Sequence, residues 1–233
     1  MTVVSIHQPQ YLPWLPYLLK VAESDRFVLL ESVDFQKNGL QNRNQIKTAQ
    51  GAHWLTVPVQ QRLGQKIDEV QIDGRTDWRR KHWQTIQQNY GKAPAFRRYR
   101  DELEDAYARE WTSLNALNGH LFALLCRWME IATPIIASRT LSAQGQASEL
   151  VLNLCLELGA TRYLSGTGGQ NYLDAPAFAV AGIEIVHRAS QLPTPYVQPH
   201  ASAGFINTLS ALDILLCCGP DWRKFVPAPA VAA

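Results

Sequence analysis

Thr2-Val3-Val4-Ser5-Ile6, running into His7-Gln8-Pro9-Gln10-Tyr11-Leu12-Pro13-Trp14, is the stretch that decides the fold. The β-branched run reads as a buried strand. Leu15 to Ala22, apolar apart from one Lys, reads as a helix. Pro9 and Pro13 fix φ and push the residues before them toward extended backbone, so the polar loop between strand and helix is stiff. A loop that follows the first strand of an α/β sheet lies at that strand's carboxyl end, where such sheets hold ligands.

Working outward, Ser24 to Glu31 contains an apolar run that reads as a second buried strand, with Asp25 at its start and Glu31 at its end. Strand, loop, helix and strand in this order suggest a right-handed parallel crossover. Ser32 to Ala52, rich in Asn and Gln, has the composition of a loop, and its length favours a functional one. His53 to Val59 and Asp68 to Ile72 read as further strands. Asp77 caps a helix from Trp78 to Tyr90. A helical stretch follows from about Asp101 to Ile131, with Asn118-Gly119 as its break. Pro134 to Ala137 reads as a buried strand, Ser142 to Leu158 as a helix and Arg162 to Leu164 as a strand that enters a small-residue loop. Ala175 to Ala181 reads as a helix, Ile183 to His187 as a last strand and Leu209 to Cys218 as an apolar helix. The fold expected is α/β: a mainly parallel Rossmann-like sheet flanked by helices. One domain spans residues 1–226, with a helical insertion at about 76–131 and a disordered tail over 227–233.

Composition excludes several classes. Hydrophobic residues make up 46% of the 233, enough for a full core, and the net charge of +2 is not gathered in one block. There is no electrostatic case for nucleic acid or a membrane surface. Cys126, Cys155, Cys217 and Cys218 lie in apolar stretches without a C-x-x-C spacing and read as buried free thiols. No export signal or membrane-length apolar run is present, so a cytoplasmic protein without membrane insertion is expected.

Three constellations carry chemistry. His7, with Gln8, Tyr11 and Trp14, is a general acid/base or phosphate-donor candidate, against the plainer reading of a structural hydrogen-bonding His. Asn42-Arg43-Asn44 with Lys47, joined by Lys37, is the anion candidate, because Arg offers a planar fork and Asn both a donor and an acceptor. The alternative is a solvated loop. Ser165-Gly166-Thr167-Gly168-Gly169, with Tyr172 and Asp174 beyond it, resembles an anion-cradling loop. It is neither a P-loop, a G-x-G-x-x-G fingerprint nor a G-x-S-x-G elbow, and a tight turn is the competing reading. The six His show no H-x-x-x-H pair, so no metal is expected, and no pattern names a cofactor.

The order Ile6-His7-Gln8-Pro9-x-Tyr11-Leu12-Pro13-Trp14, then Asn42-Arg43-Asn44-x-Ile46-Lys47, Trp54 to Val59, Tyr163-Leu164-Ser165-Gly166 with Tyr172-Leu173-Asp174, and Leu209 to Leu215 resembles the WbqC-like proteins over nearly the whole chain. Pro16 departs from the family's usual Gly. The resemblance implies a role in surface-polysaccharide or natural-product biosynthesis, with aminoacyl or acyl (glycine-type) transfer onto a sugar or small-molecule substrate. A carrier protein or activated acyl donor would supply the group. On this reading His7, Tyr11 and Asp174 are catalytic, and Arg43, Lys47 and the Ser165–Gly169 backbone bind substrate. The alternatives are a nucleotide-binding, nucleotidyltransferase- or ligase-like enzyme and a noncatalytic partner of a biosynthetic complex.

Overall fold

The computed structural model describes residues 1–227. All but the first residue of the tail expected to be disordered therefore lie outside the description. The chain begins β1 (Val3–His7), α1 (Leu15–Ala22), β2 (Arg26–Leu29), and β1 pairs with β2 in parallel. Two antiparallel pairs follow: β3 (Arg43–Thr48) with β4 (Gly51–Thr56), and β5 (Val59–Gln60) with β6 (Gln71–Ile72). Helices α2 (Trp78–Tyr90), α3 (Phe96–Ala108) and α4 (Leu114–Trp128) come next. The chain then returns to the sheet through β7 (Ile135–Ala137), α5 (Ala147–Glu157), β8 (Arg162–Gly166), α6 (Ala175–Val180) and β9 (Glu184–Arg188), and α7 (Ala211–Cys218) follows.

The central sheet has the order β7-β2-β1-β8-β9, and every pairing in it is parallel. This is the expected α/β, Rossmann-like sheet. The sheet is covered on both faces, and β2 in its interior sends apolar side chains to each, Phe27 to one and Val28 to the other. Val4, Ile6 and Val28 pack into a core with Val151, Leu154 and Phe178 from α5 and α6. Phe27 points the other way, into a larger core with Leu18 of α1, Leu121 and Phe122 of α4, and Leu215 of α7.

Three expectations need correction. The segment read as a polar loop contains β3, whose Asn44, Ile46 and Thr48 are buried. Its hairpin with β4 lies off the central sheet. The amide-rich composition hid a strand whose polar side chains are spent on backbone partners. The break expected at Asn118-Gly119 also falls elsewhere. The helices part between Ala108 and Leu114, where the Ser113 hydroxyl accepts from Ala116 N (3.3 Å), and Gly119 lies inside α4. Asp77 precedes α2 as expected, but its carboxylate pairs with Arg80 instead of capping.

Candidate functional site

With β1 connected outward to β2 on one side and β8 reached only late in the chain on the other, the strand order reverses between β1 and β8. Open α/β sheets bind ligands at such a switch point, outside the carboxyl ends of the strands. The loops that leave β1 and β8 here are the His7-Gln8 and Ser165–Tyr172 segments.

They meet in one cleft. A chamber of about 120 Å³ is walled by His7, Trp14, Tyr17, Lys20, Gly166, Thr167, Gly168 and Arg188. A second, about 260 Å³, shares His7, Lys20, Gly166 and Gly168 and adds Gln8, Tyr163, Ser165 and Tyr172. A third, about 610 Å³, continues from it through Gln8, Leu30, Val151 and Tyr172 toward Ser32, Asp34 and Gln146. A separate cavity of about 520 Å³ lies at the ends of β2 and β7, with Glu31, Asp68, His120 and Arg139 in its wall.

His7 Nδ1 lies 3.0 Å from the Gln8 carbonyl and its ring packs edge-on against Tyr17 at 4.8 Å. Donation to that carbonyl assigns the proton to Nδ1 and leaves a lone pair on Nε2. Burial first, and the Lys20 charge second, push the His7 pKa down to about 3. Gln8 is fixed as well, because its Oε1 accepts from Gln41 Nε2 at 2.7 Å.

Lys20 is the functional candidate that sequence reasoning passed over. Its Nζ donates to Ile6 O (3.2 Å) and it is 4% exposed. Among the described residues no carboxylate lies within ion-pair distance of it. Burial, and then the Arg188 charge, lower its pKa to about 7. The sequence signal was a lone lysine in the otherwise apolar run Leu15 to Ala22; in the fold every residue from Leu15 to Val21 is buried, so this lysine has no solvated face to reach. Arg188, also unanticipated, is held by Glu23, with Nη2 to Oε1 at 2.7 Å.

The β8 loop turns tightly because Gly169 packs on Ser165: a Cβ there would stand 2.0 Å from Ser165 Oγ. Ser165 is 1% exposed and donates to Gly166 O (3.0 Å), so its hydroxyl is engaged within the turn. Tyr172, 49% exposed, stands where the second and third chambers join.

The other expected site residues lie elsewhere. Tyr11 is buried, its hydroxyl shared with His82 Nδ1 (2.8 Å) and Tyr107 OH (2.6 Å). Asn42 and Asn44 donate to Val57 O (2.9 Å) and Leu12 O (2.7 Å), fastening the hairpin. Arg43 donates to Asn38 O and lies 4.4 Å over the Trp54 ring. Lys47 is buried, donating to Gln198 Oε1 (3.0 Å) and Gly204 O, in a cluster around Asp213. Lys37 is exposed on the segment before β3. Asp174 caps α6, accepting from Ala177 N (3.1 Å). Of the three constellations, the first and the last meet, since His7 and Ser165 share a chamber, and Arg43 stands apart. Among the described residues no group of three or more His, Cys, Asp or Glu is placed to hold a metal ion.

The family model described as the WbqC-like protein family matches residues 8–225. The chain is 35% identical over 231 residues to the uncharacterized protein Rv1507c of Mycobacterium tuberculosis, covering 97% of this chain and 99% of that protein. No solved structure matches. No helix among the described residues is long and apolar enough to cross a membrane.

Proposed function

The chain belongs to the WbqC-like protein family, and we propose that it is a group-transfer enzyme whose reaction takes place in the cleft between β1 and β8, moving an acyl or aminoacyl group onto an amine or hydroxyl of a sugar or small metabolite. The observation that supports this reading is the joining of His7-Gln8 and Ser165–Tyr172, distant in sequence, over the buried Lys20 at the switch point.

His7 acts there as a neutral imidazole. The acceptor atom bonds to the acyl carbon, the bond from that carbon to the leaving group breaks, and Nε2 carries the proton from acceptor to leaving group. With a pKa of about 3, His7 is a weak base, suited to a proton that becomes acidic only once the new bond is forming. The imidazolium so formed gives its proton up readily to the leaving group. Tyr172 and the Gln8 amide orient the acceptor where the chambers join. Asp174 contributes only by capping α6, and Tyr11 by holding the first loop from below.

The test is product formation by mass spectrometry. Activated acyl and aminoacyl donors, or amino acids with ATP, are offered with a pool of small-molecule acceptors. His7→Ala is expected to lower turnover by about 10²-fold or more. Unchanged turnover in His7→Ala would remove His7 from the chemistry.

A second reading, nucleotidyl transfer, is favoured by the strand order itself, since switch points of such sheets bind nucleotides. Calorimetric titration with ATP, CTP and nucleotide sugars, with and without magnesium, separates the two. Binding of all of them being absent would leave acyl transfer from a non-nucleotide donor.

A further inference from the structure

Gly166 and Gly168 both line the two inner chambers of the cleft, yet the fold does not ask for glycine at either place. A Cβ built on each meets no protein atom within 4 Å, unlike the one on Gly169. Gly166 has φ −77 and Gly168 is not among the positive-φ residues, so neither uses the conformational freedom that only glycine has. What the missing side chains do leave is room, and bare backbone, in the wall facing Lys20.

Lys20 sharpens this. A buried ammonium with no carboxylate beside it is costly, because burial of an unpaired charge is opposed by desolvation. Among the described residues only one of its three N–H donors has a partner, Ile6 O. Arg188 lines the same chamber, and Glu23 holds it in place. Lys20, the Arg188 guanidinium already paired to Glu23, and an open glycine backbone thus surround a chamber of about 120 Å³ with no carboxylate among the described residues of its wall.

We propose that the space over Gly166 and Gly168, walled by Lys20, Arg188 and His7, is the seat of a phosphate-type oxyanion carried by the substrate. This rests on reading the β1–β8 cleft as the functional site, and it moves the anion site away from Arg43 and Lys47. A phosphate group satisfies several donors at once and supplies the negative charge that Lys20 lacks. The chamber accommodates the oxyanion, and the rest of the molecule extends into the second and third chambers. The same phosphate chemistry is offered by a nucleotide, a sugar phosphate or an acyl phosphate.

Calorimetric titration of the full chain with inorganic pyrophosphate tests the proposal, with ATP, a hexose 1-phosphate and acetyl phosphate as competitors. Saturable binding is expected, weakened at least tenfold in Lys20→Met and in Gly168→Val and unchanged in Arg43→Ala. Lys20→Met removes a buried charge and is expected to fold, so loss of binding there is not loss of structure. Gly166→Ala provides a milder second block of the same wall. The competitor that displaces pyrophosphate most strongly names the source of the phosphate. Failure of pyrophosphate to bind at millimolar concentration overturns the proposal, as does binding that Lys20→Met and Gly168→Val leave unchanged. Pyrophosphate binding without any transfer activity would keep the phosphate seat and overturn the transferase reading. Transfer activity without pyrophosphate binding would do the reverse.

Discussion

Two lysines are buried in this chain, and their surroundings separate their roles. Lys47 is 1% exposed but sits in a satisfied network: Gln198 Oε1 and Gly204 O accept from it, and Asp213 is close by. Asp213 itself accepts from Tyr90 OH (2.6 Å) and Gln198 Nε2 (2.7 Å), and from Tyr196 OH. Burial raises its pKa, and these donors work against the rise. The cluster joins β3, α2, α7 and the segment around Gln198, so its work is structural. Asp213→Ala is expected to cost about 3–5 kcal/mol in urea denaturation, because it strips a buried cluster of its central acceptor, while leaving pyrophosphate binding as it is. Tyr11→Phe, which removes one hydroxyl from the triad with His82 and Tyr107, is expected to cost about 1–3 kcal/mol, again without effect at the cleft. Among the described residues Lys20 has no such network. Motif residues alone could not separate these cases, since Tyr11 and Lys47 are as conspicuous in the sequence as His7, and only three-dimensional partners show which of them are already spent.

At the scale of elements, the opening strand, its loop and α1 follow directly from the β-branched run and the two prolines, and β2, β7, β8 and β9 from short apolar runs. The hairpin of β3 was less legible, because Asn44 and Gln45 have poor strand composition and are held by partners, Leu12 O for Asn44 and the paired Trp54 for Gln45, that local pattern does not reveal. The split between α3 and α4 was misplaced because Asn118-Gly119 imitates a break. Asn118 is buried and donates to Gln41 O (2.7 Å), so tertiary contact overrides propensity there. The β8 turn offers a direct comparison of adjacent glycines. Gly169→Ala is expected to destabilise the protein by about 1–3 kcal/mol through its clash with Ser165. Gly168→Ala is expected to leave the thermal midpoint nearly unchanged, and differential scanning calorimetry of the two variants checks both.

Across the whole molecule, buried neutral bases set the response to pH. His7 is lowered to about 3 and His82 to about 4, each mainly by burial, from an ordinary value of 6.5. Between about 6.5 and these folded values the unfolded chain binds protons that the folded chain does not, so stability falls as pH falls through that window. At pH 5 the loss relative to pH 8 is expected to be about 2 kcal/mol for each ring. Denaturation midpoints across pH 4.5–8 in the native chain and in His82→Gln are expected to show a shallower acid slope in the variant. Lys20, lowered to about 7 from 10.5, has the same sign in a higher window: the folded state gains stability as pH rises from about 7 toward 10.5. Lys20→Met is expected to flatten that alkaline slope.

The two loops that meet at the β1–β8 switch point carry the account, and locating a bound ligand tests it most directly. A crystal structure of the protein with its co-purified small molecule, or with pyrophosphate soaked in, is expected to show density between His7, Lys20 and the Gly166–Gly168 backbone. Density instead against Arg43 on the β3 hairpin, or in the separate cavity of Glu31, Asp68 and His120, with the β1–β8 cleft empty, would contradict it.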